Sequence, residues 1–324
     1  MRKLDILVPH YNEKDEVIKP LLVSIALQQA VDFGEIGVII SNDGGQYFDW
    51  ADFSLDYEFC IKQICIPHKG VSAARNAAMD ESTAEYIMFC DIDDIFYSAC
   101  GLWLIFREME FGFDSLTSEF IEEARLDDGK TIFIKREKDS TFVHGKVHRR
   151  QYLIDNNIRW NEALTVHEDS YFNILAQSFC DVKYCPYSFY LWKYRESSVC
   201  RHDKKYLLKT YRNLIESNDA LVDEFLRRGK DHDAEFHAVS MIFDAYYTMN
   251  KPTWINQENA EYRDATERHF AAYYRKHRSL WDNAKTENKM KVSNHVRARQ
   301  VREGMVMETQ TIEQWLSHIE SLET

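Results

Sequence analysis

No CxxC pair occurs among the seven cysteines, at 60, 65, 90, 100, 180, 185 and 200, and their number is odd. Zinc-ligand spacing is absent, a disulfide framework is not indicated, and a reduced interior is expected. No uninterrupted apolar run approaches the ~18 residues of a membrane-crossing helix. The opening Met1-Arg2-Lys3-Leu4-Asp5 lacks the apolar stretch of a signal peptide, so a soluble, cytoplasmic protein without a membrane span is expected. Excess positive charge is missing too. The formal net charge of −13 argues against coating nucleic acid or anionic membrane with the whole surface, though not against a local basic patch. Repeats, low-complexity tracts, a Walker glycine loop and a nucleophile elbow are also absent. What is present suffices for a packed interior. Apolar residues fill 45% of the 324 positions and aromatics 14%, enough for one large domain or a core domain with a smaller companion.

The chain is organised around Glu85-Tyr86-Ile87-Met88-Phe89-Cys90-Asp91-Ile92-Asp93-Asp94-Ile95. The apolar run Tyr86 to Cys90 is too short for an independent helix and suits a strand buried on both faces. Asp91, Asp93 and Asp94 follow where such a strand leaves its sheet. Like charges are costly to bury together unless a cation or a hydrogen-bond network offsets them. Ligands of open α/β sheets sit at the carboxyl ends of strands. A divalent-metal site with hard oxygen ligands, suited to Mg²⁺ or Mn²⁺, is one account. A solvated acidic turn or helix start is the other.

Taken in order, Leu4 to Val8 reads as a buried strand ended by Pro9, with His10-Tyr11-Asn12-Glu13 as its loop. A helix follows through Ile18 to Gln29, then a strand at Ile36 to Ile40 closed by Asn42-Asp43-Gly44-Gly45. Residues 46–58 show no clear period. Cys60 to Ile66 is a weaker strand, and His68-Lys69-Gly70 leads into a helix from about Ala73 to Asp80. This alternation predicts a wound, mostly parallel α/β sheet flanked by helices. Thr117 to Glu123 and Thr131 to Lys135 pair through the Asp128-Gly129 turn, and Val182 to Trp192 is a further strand. From about Lys204 the pattern turns helical, over 205–228, 231–249, 258–281 and 306–322. Two regions follow: a catalytic α/β domain at 1–203 and a helical extension at 204–324.

Each candidate motif has an ordinary alternative. Asp43 suits hydrogen bonds to a uracil ring or ribose, and equally an Asx turn. Gly70 to Asn76 opens a helix whose free N–H groups, with Arg75, suit a diphosphate, and equally an ordinary capped helix. Glu168 and Asp169 open another helix, where acids are common because of the helix dipole; one of them also suits a general base toward a hydroxyl. The stretch Trp192 to His202 gathers donors, with His202 either a ligand to metal or phosphate or an exposed loop histidine.

In series, Pro9-His10-Tyr11-Asn12-Glu13, Asn42-Asp43-Gly44, Gly70-Val71-Ser72-Ala73-Ala74-Arg75-Asn76, Asp91-Ile92-Asp93-Asp94 and Glu168-Asp169 resemble the family 2 glycosyltransferases of the GT-A fold over roughly residues 1–203. The resemblance implies a nucleotide-sugar donor, UDP-linked, and Mn²⁺ or Mg²⁺ bridging its diphosphate. Pro9, Tyr11, Asn12, Glu13 and Asp43 would lie about the nucleotide. Gly70 and Arg75 would help hold it, and Arg195 and Ser198 would sit near the diphosphate. Asp91 would approach the ribose or the metal, with Asp93 and His202 as metal ligands. Asp169 would be the general base with Glu168 beside it. The family's usual serine after the second motif is Gly45 here, and the helical tail matches no general counterpart.

The implied reaction is inverting transfer to a hydroxyl acceptor, by default a glycan or surface-polysaccharide precursor. A hydroxylated nucleic-acid base is an alternative acceptor, motivated by Lys285, Lys289, Lys291, Arg297, Arg299 and Arg302, although such a run also makes a solvated helix face. A sugar-nucleotide pyrophosphorylase would need a glycine-rich basic loop after its first strand, where Pro9 to Glu13 stands. A non-catalytic nucleotide-sugar-binding module would keep the fold without a base. The extension shapes an acceptor groove, makes a homo-oligomer or binds a partner; periodicity leaves these open.

Overall fold

A computed structural model describes residues 2–48, 57–126, 128–196, 205–303 and 310–322. The chain divides into two compact units, Met1–Ser198 and Val199–Thr324. The first contains β1 (Leu4–His10), α1 (Asp15–Ala26), β2 (Ile36–Asp43), β3 (Cys60–Ile66), α2 (Val71–Glu81), β4 (Tyr86–Phe89) and β5 (Ile95–Phe96). After these come α3 (Gly101–Glu110), β6 (Ser115–Arg125), β7 (Thr131–Arg136), β8 (Lys146–Arg149), α4 (Arg150–Asp155), α5 (Glu168–Gln177) and β9 (Lys183–Trp192).

Among the described residues the nine strands form one sheet in the order β3-β2-β1-β4-β8-β6-β9-β5, with β7 added on β6. The strands β3, β2, β1 and β4 are mutually parallel. Helix α1 separates β1 from β2 and α2 separates β3 from β4, crossovers long enough to return the chain to a parallel position. Beyond β4 the sheet is mixed. The β6–β7 pair is an antiparallel hairpin, β8 runs antiparallel to both β4 and β6, and β9 is parallel to β6. Burial explains the strand compositions. The central β2 and β4 are buried throughout, whereas β3, at the edge, alternates between exposed and half-buried positions. Helix α1 covers the sheet with Ile18, Leu21, Leu22 and Ile25, one stripe at helical spacing.

The parallel register fixes the site. His10 pairs with Asn42, Asp43 with Ile66, and Leu7 with Phe89. The loops that follow β1, β2, β3 and β4 therefore leave the same edge of the sheet. At the opposite edge, buried Asp5 accepts hydrogen bonds from Arg2 Nε at 2.6 Å and Ser82 Oγ at 2.7 Å. This carboxylate lies against Gly37, where a Cβ would overlap Asp5 Oδ1 and sit 2.7 Å from Arg2 Nε.

The second unit contains α6 (Tyr206–Arg227), α7 (Asp231–Met249), α8 (Pro252–Ile255), α9 (Ala260–Asn283), α10 (Thr286–Glu303) and α11 (Ile312–Ser321). Its core includes Tyr211, Ile242, Tyr246, Phe270, Tyr274 and Trp315. Among the described residues no helix is long and apolar enough to cross a membrane.

Replacing Gly37 with Ala forces Asp5 and Arg2 apart, and we expect a loss of about 1–3 kcal/mol, as for other overpacked interiors. Urea denaturation monitored by far-UV circular dichroism measures it; an unchanged midpoint contradicts the packing described.

Candidate functional site

The site is built from loops at the carboxyl ends of β1 to β4 and from the start of α5. In the first loop Asn12 takes a left-handed backbone, with φ 60°. Tyr11 is half-exposed, and its ring stacks on that of His68 at 4.4 Å. Glu13 Oε2 accepts the Tyr11 N–H at 2.7 Å and so holds the loop shape. Pro9, paired with Ser41, lies within β1. The second loop is pressed onto the first. Gly45 N–H donates to Asn42 Oδ1 at 2.6 Å, and Gln46 N–H to Asn12 Oδ1 at 3.3 Å. A Cβ on residue 45 would stand 2.7 Å from Asn12 Oδ1 and 2.8 Å from Asn12 N. Glycine in place of the expected serine is therefore what lets these two loops touch.

Asp43 is engaged on both oxygens. Oδ1 accepts the Lys69 N–H at 2.7 Å, and Oδ2 accepts the Gly70 N–H at 2.8 Å, with His68 Nδ1 2.9 Å away. It thereby shapes the approach to α2. The open ring at this end of the site belongs to Tyr11.

Arg75, on the first turns of α2, is almost fully buried. Its Nη1 donates to Asp169 Oδ1 at 2.7 Å and Glu168 Oε1 at 3.1 Å, and its Nη2 donates to Asp91 Oδ1 at 3.1 Å. The guanidinium lies over the Trp160 ring at 4.3 Å, and that ring stacks on Phe172 of α5 at 4.2 Å. One cation thus joins the acid after β4 to both acids at the start of α5. The surrounding carboxylates raise the Arg75 pKa although burial opposes this. Burial raises Asp169, Arg75 opposes the rise, and Glu168 and Asp91 add to it, leaving this carboxyl at about 7.

The three acids after β4 are separated by their partners. Asp91 and Asp93 are 33% and 24% exposed. Asp93 meets Arg195 Nη1 at 3.1 Å, and burial with the Asp91 charge pushes its pKa up against that attraction. Asp94 is fully buried. Its Oδ2 accepts the Tyr190 hydroxyl at 2.6 Å, and its Oδ1 accepts the Lys193 N–H at 2.9 Å. Asp91, Asp94 and His144 each bring one ligand-type atom within 4.8 Å of the others, but both Asp94 oxygens are already used. The partly open oxygens of Asp91 and Asp93 are the better fit to a hard divalent cation. Ser198 and His202 lie outside the described residues.

The pairing of Asp94 with Tyr190, and the places of His68 and Trp160 in the site, were not read from the sequence. Their signal was weak: Tyr190 is one of many aromatics, and Trp160 stands in no motif. Lys146 is a further case, a buried lysine on β8 whose charge lowers Asp169.

Replacing Arg75 with Met leaves three facing carboxylates without their cation. We expect a cost of about 3–5 kcal/mol at neutral pH, typical of removing one partner from a buried ionic group. The deficit shrinks as pH falls and the acids protonate. Urea midpoints at pH 5 and pH 8 check this; equal deficits at both contradict it.

Residues 5–112 match the family model described as glycosyl transferase family 2. A teichoic acid poly(glycerol phosphate) polymerase of Staphylococcus epidermidis is 39% identical over 98 residues, which span 29% of this chain and only 13% of that one. Among solved structures, S. aureus TarS 1-349 in complex with UDP superposes with a TM-score of 0.64 at 16% identity, covering 93% of this chain and 88% of that one. TarS 1-349 in complex with UDP-GlcNAc gives 0.55 at 17% identity, covering 92% of each. At such identity the structural likeness is one of fold. The matched segment contains the loop after β1, Asp43, Arg75 and the acidic turn, and it places residues 5–112, within a GT-A fold, in glycosyl transferase family 2.

Proposed function

We propose that this protein is a metal-dependent, inverting glycosyltransferase. It moves a sugar from a UDP-linked donor to a hydroxyl of a surface-polymer precursor. The observation that carries this reading is the Arg75 bridge, which ties Asp91 of the acidic turn to Asp169 within the reach of one guanidinium. A donor-side acid and an acceptor-side base are needed close together for single displacement. The complexes of TarS with UDP and UDP-GlcNAc, and the name of the S. epidermidis relative, support the donor and acceptor classes.

In this reading Tyr11 offers its ring to the nucleotide base. Asp91 and Asp93 would hold Mg²⁺ or Mn²⁺, which neutralises charge on the departing diphosphate. Arg195, whose guanidinium already faces Asp93, stands ready to take a phosphate oxygen. Arg75 engages Asp169 Oδ1, so Oδ2 is the oxygen that takes the proton of the acceptor hydroxyl. As that O–H bond breaks, the acceptor oxygen bonds to the anomeric carbon, and the bond from that carbon to the phosphate oxygen breaks. The UDP leaves with the electron pair, and the anomeric centre inverts. A carboxyl near 7 is well matched to such a base, because proton transfer is most effective when the pKa lies near working pH.

The basic run on α10 supports the glycan reading over a nucleic-acid acceptor. Lys289 lies over Trp281 at 4.4 Å, Lys291 pairs with Glu287 at 2.6 Å, and Arg299 pairs with Asp244. With Lys289 and Arg299 engaged inside their own unit, fewer cations of the run are left to line a phosphate stripe.

Asp169→Asn should lower transfer about 10²–10⁴-fold, the usual worth of a positioned base, while UDP affinity changes less than about twofold. Isothermal titration calorimetry with UDP and Mn²⁺, beside a turnover assay, reads both; near-normal transfer contradicts the role. In the wild type, Asp169 is protonated at low pH and inactive as a base. The kcat/KM should therefore fall about tenfold per unit below pH 7 and level off above it; a flat profile from pH 5 to 8 overturns the assignment.

A further inference from the structure

Tyr190 and Asp94 have no part in the chemistry above, yet they join the two segments on which it depends. The Tyr190 hydroxyl sits between three groups. It donates to Asp94 Oδ2 at 2.6 Å, accepts the Asp91 N–H at 3.2 Å, and lies 3.5 Å from Cys90 Sγ. Asp94 then accepts the Lys193 N–H, two residues before Arg195. Tyr190 and Cys90 are buried, and Asp94 is the one acid of the trio with no exposure. The His144 ring packs on Tyr190 at 5.1 Å and on Trp192 at 4.7 Å, with Nδ1 3.6 Å from Asp94 Oδ2. The packing confines Tyr190 to this pose.

The geometry points to Tyr190 and Asp94 as a positioning pair that sets the separation of Asp91 and Asp93 from Arg195, and so the affinity for a metal-bound diphosphate. The inference rests on the glycosyltransferase reading and goes beyond it. Neither residue touches substrate. The Tyr190 hydroxyl fixes the backbone of Asp91, while Asp94 fixes the backbone at Lys193, from which Arg195 reaches Asp93 at 3.1 Å. Without the hydroxyl, the Asp91 N–H and Asp94 Oδ2 lose the atom they share, and the carboxylate that holds the Lys193 N–H loses its second partner. A buried hydrogen-bond network of this kind specifies one arrangement when every member is satisfied, and a small displacement of ligands is costly in a site that depends on preorganisation.

The test compares Tyr190→Phe with Tyr184→Phe. Tyr184 lies on the same strand, and its hydroxyl donates to Glu119 at 2.7 Å, so its replacement controls for loss of a phenol from β9. UDP affinity is measured by calorimetry on the full chain, with Mn²⁺ and with EDTA. For Tyr190→Phe, the gain in UDP affinity that Mn²⁺ confers should drop at least tenfold, with affinity in EDTA within twofold of wild type. Tyr184→Phe should stay within twofold in both conditions. If Tyr190→Phe does not fold, Asp94→Asn carries the same expectation, since it keeps an oxygen for the Lys193 N–H. A Mn²⁺-dependent gain within twofold of wild type in the folded variant overturns the positioning role and leaves the function intact. An equal loss in Tyr184→Phe overturns it too, by showing a general effect on the strand. Wild-type protein that binds no UDP with Mn²⁺ overturns the glycosyltransferase reading and this inference with it.

Discussion

The first unit depends on a buried guanidinium surrounded by acids from two other elements. Arg75 reaches from α2 to Asp91 after β4 and to Glu168 and Asp169 on α5. A cation taken from water at this depth is tolerable only if its lost hydration is replaced by paired charge and hydrogen bonds. The acids in turn are tolerable together only because the cation lies among them. The aromatic floor of Trp160 and Phe172 confines the guanidinium face, so position as well as charge is specified. What would otherwise be a costly collection of like charges is a joint between the turn after β4 and the start of α5.

The acidic turn shows the same economy of roles. Three carboxylates within four residues have three different fates, each set by burial. Asp91 faces Arg75, Asp93 faces Arg195, and both keep contact with solvent. Asp94 turns inward and is satisfied by a phenol and a backbone N–H. The charge pattern in the chain does not distinguish them; their partners do. The loops after β1 and β2 follow a parallel logic at the other end of the site, where the Asn12 side chain and the Gly45 backbone need close approach.

Much of this was legible in the chain. The parallel strands β1, β2 and β4 stand out because each is a short apolar run followed by a polar loop, and the helices α1 and α2 supply the crossovers that parallel pairing needs. The hairpin β6–β7 was readable from its turn, and the long helices of the second unit from their period. Less readable was the mixed half of the sheet, because β8 is only Lys146–Arg149 and its partners are far away in sequence. Helix α10 carries little apolar contrast and was visible mainly as a basic run. The motif residues Tyr11, Arg75, Asp91 and Asp169 could be placed along strand ends and helix starts. That Asp43 spends both oxygens on the loop before α2 could not be read, because it depends on which backbone N–H groups the fold brings near. Nor could the pairing of Tyr190 with Asp94, ninety-six positions apart. Ser198 and His202 lie outside the described residues, and their expected roles stand as proposals.

The central claim is that one cleft holds a metal-bound donor on Asp91 and Asp93 across Arg75 from the base Asp169. Anomalous diffraction from crystals grown with UDP and Mn²⁺ addresses it directly. The account predicts a manganese peak bounded by the Asp91 and Asp93 carboxylates and the UDP phosphates, with the Arg75–Asp169 contact on the far side. A peak elsewhere, or UDP bound away from these residues, contradicts it.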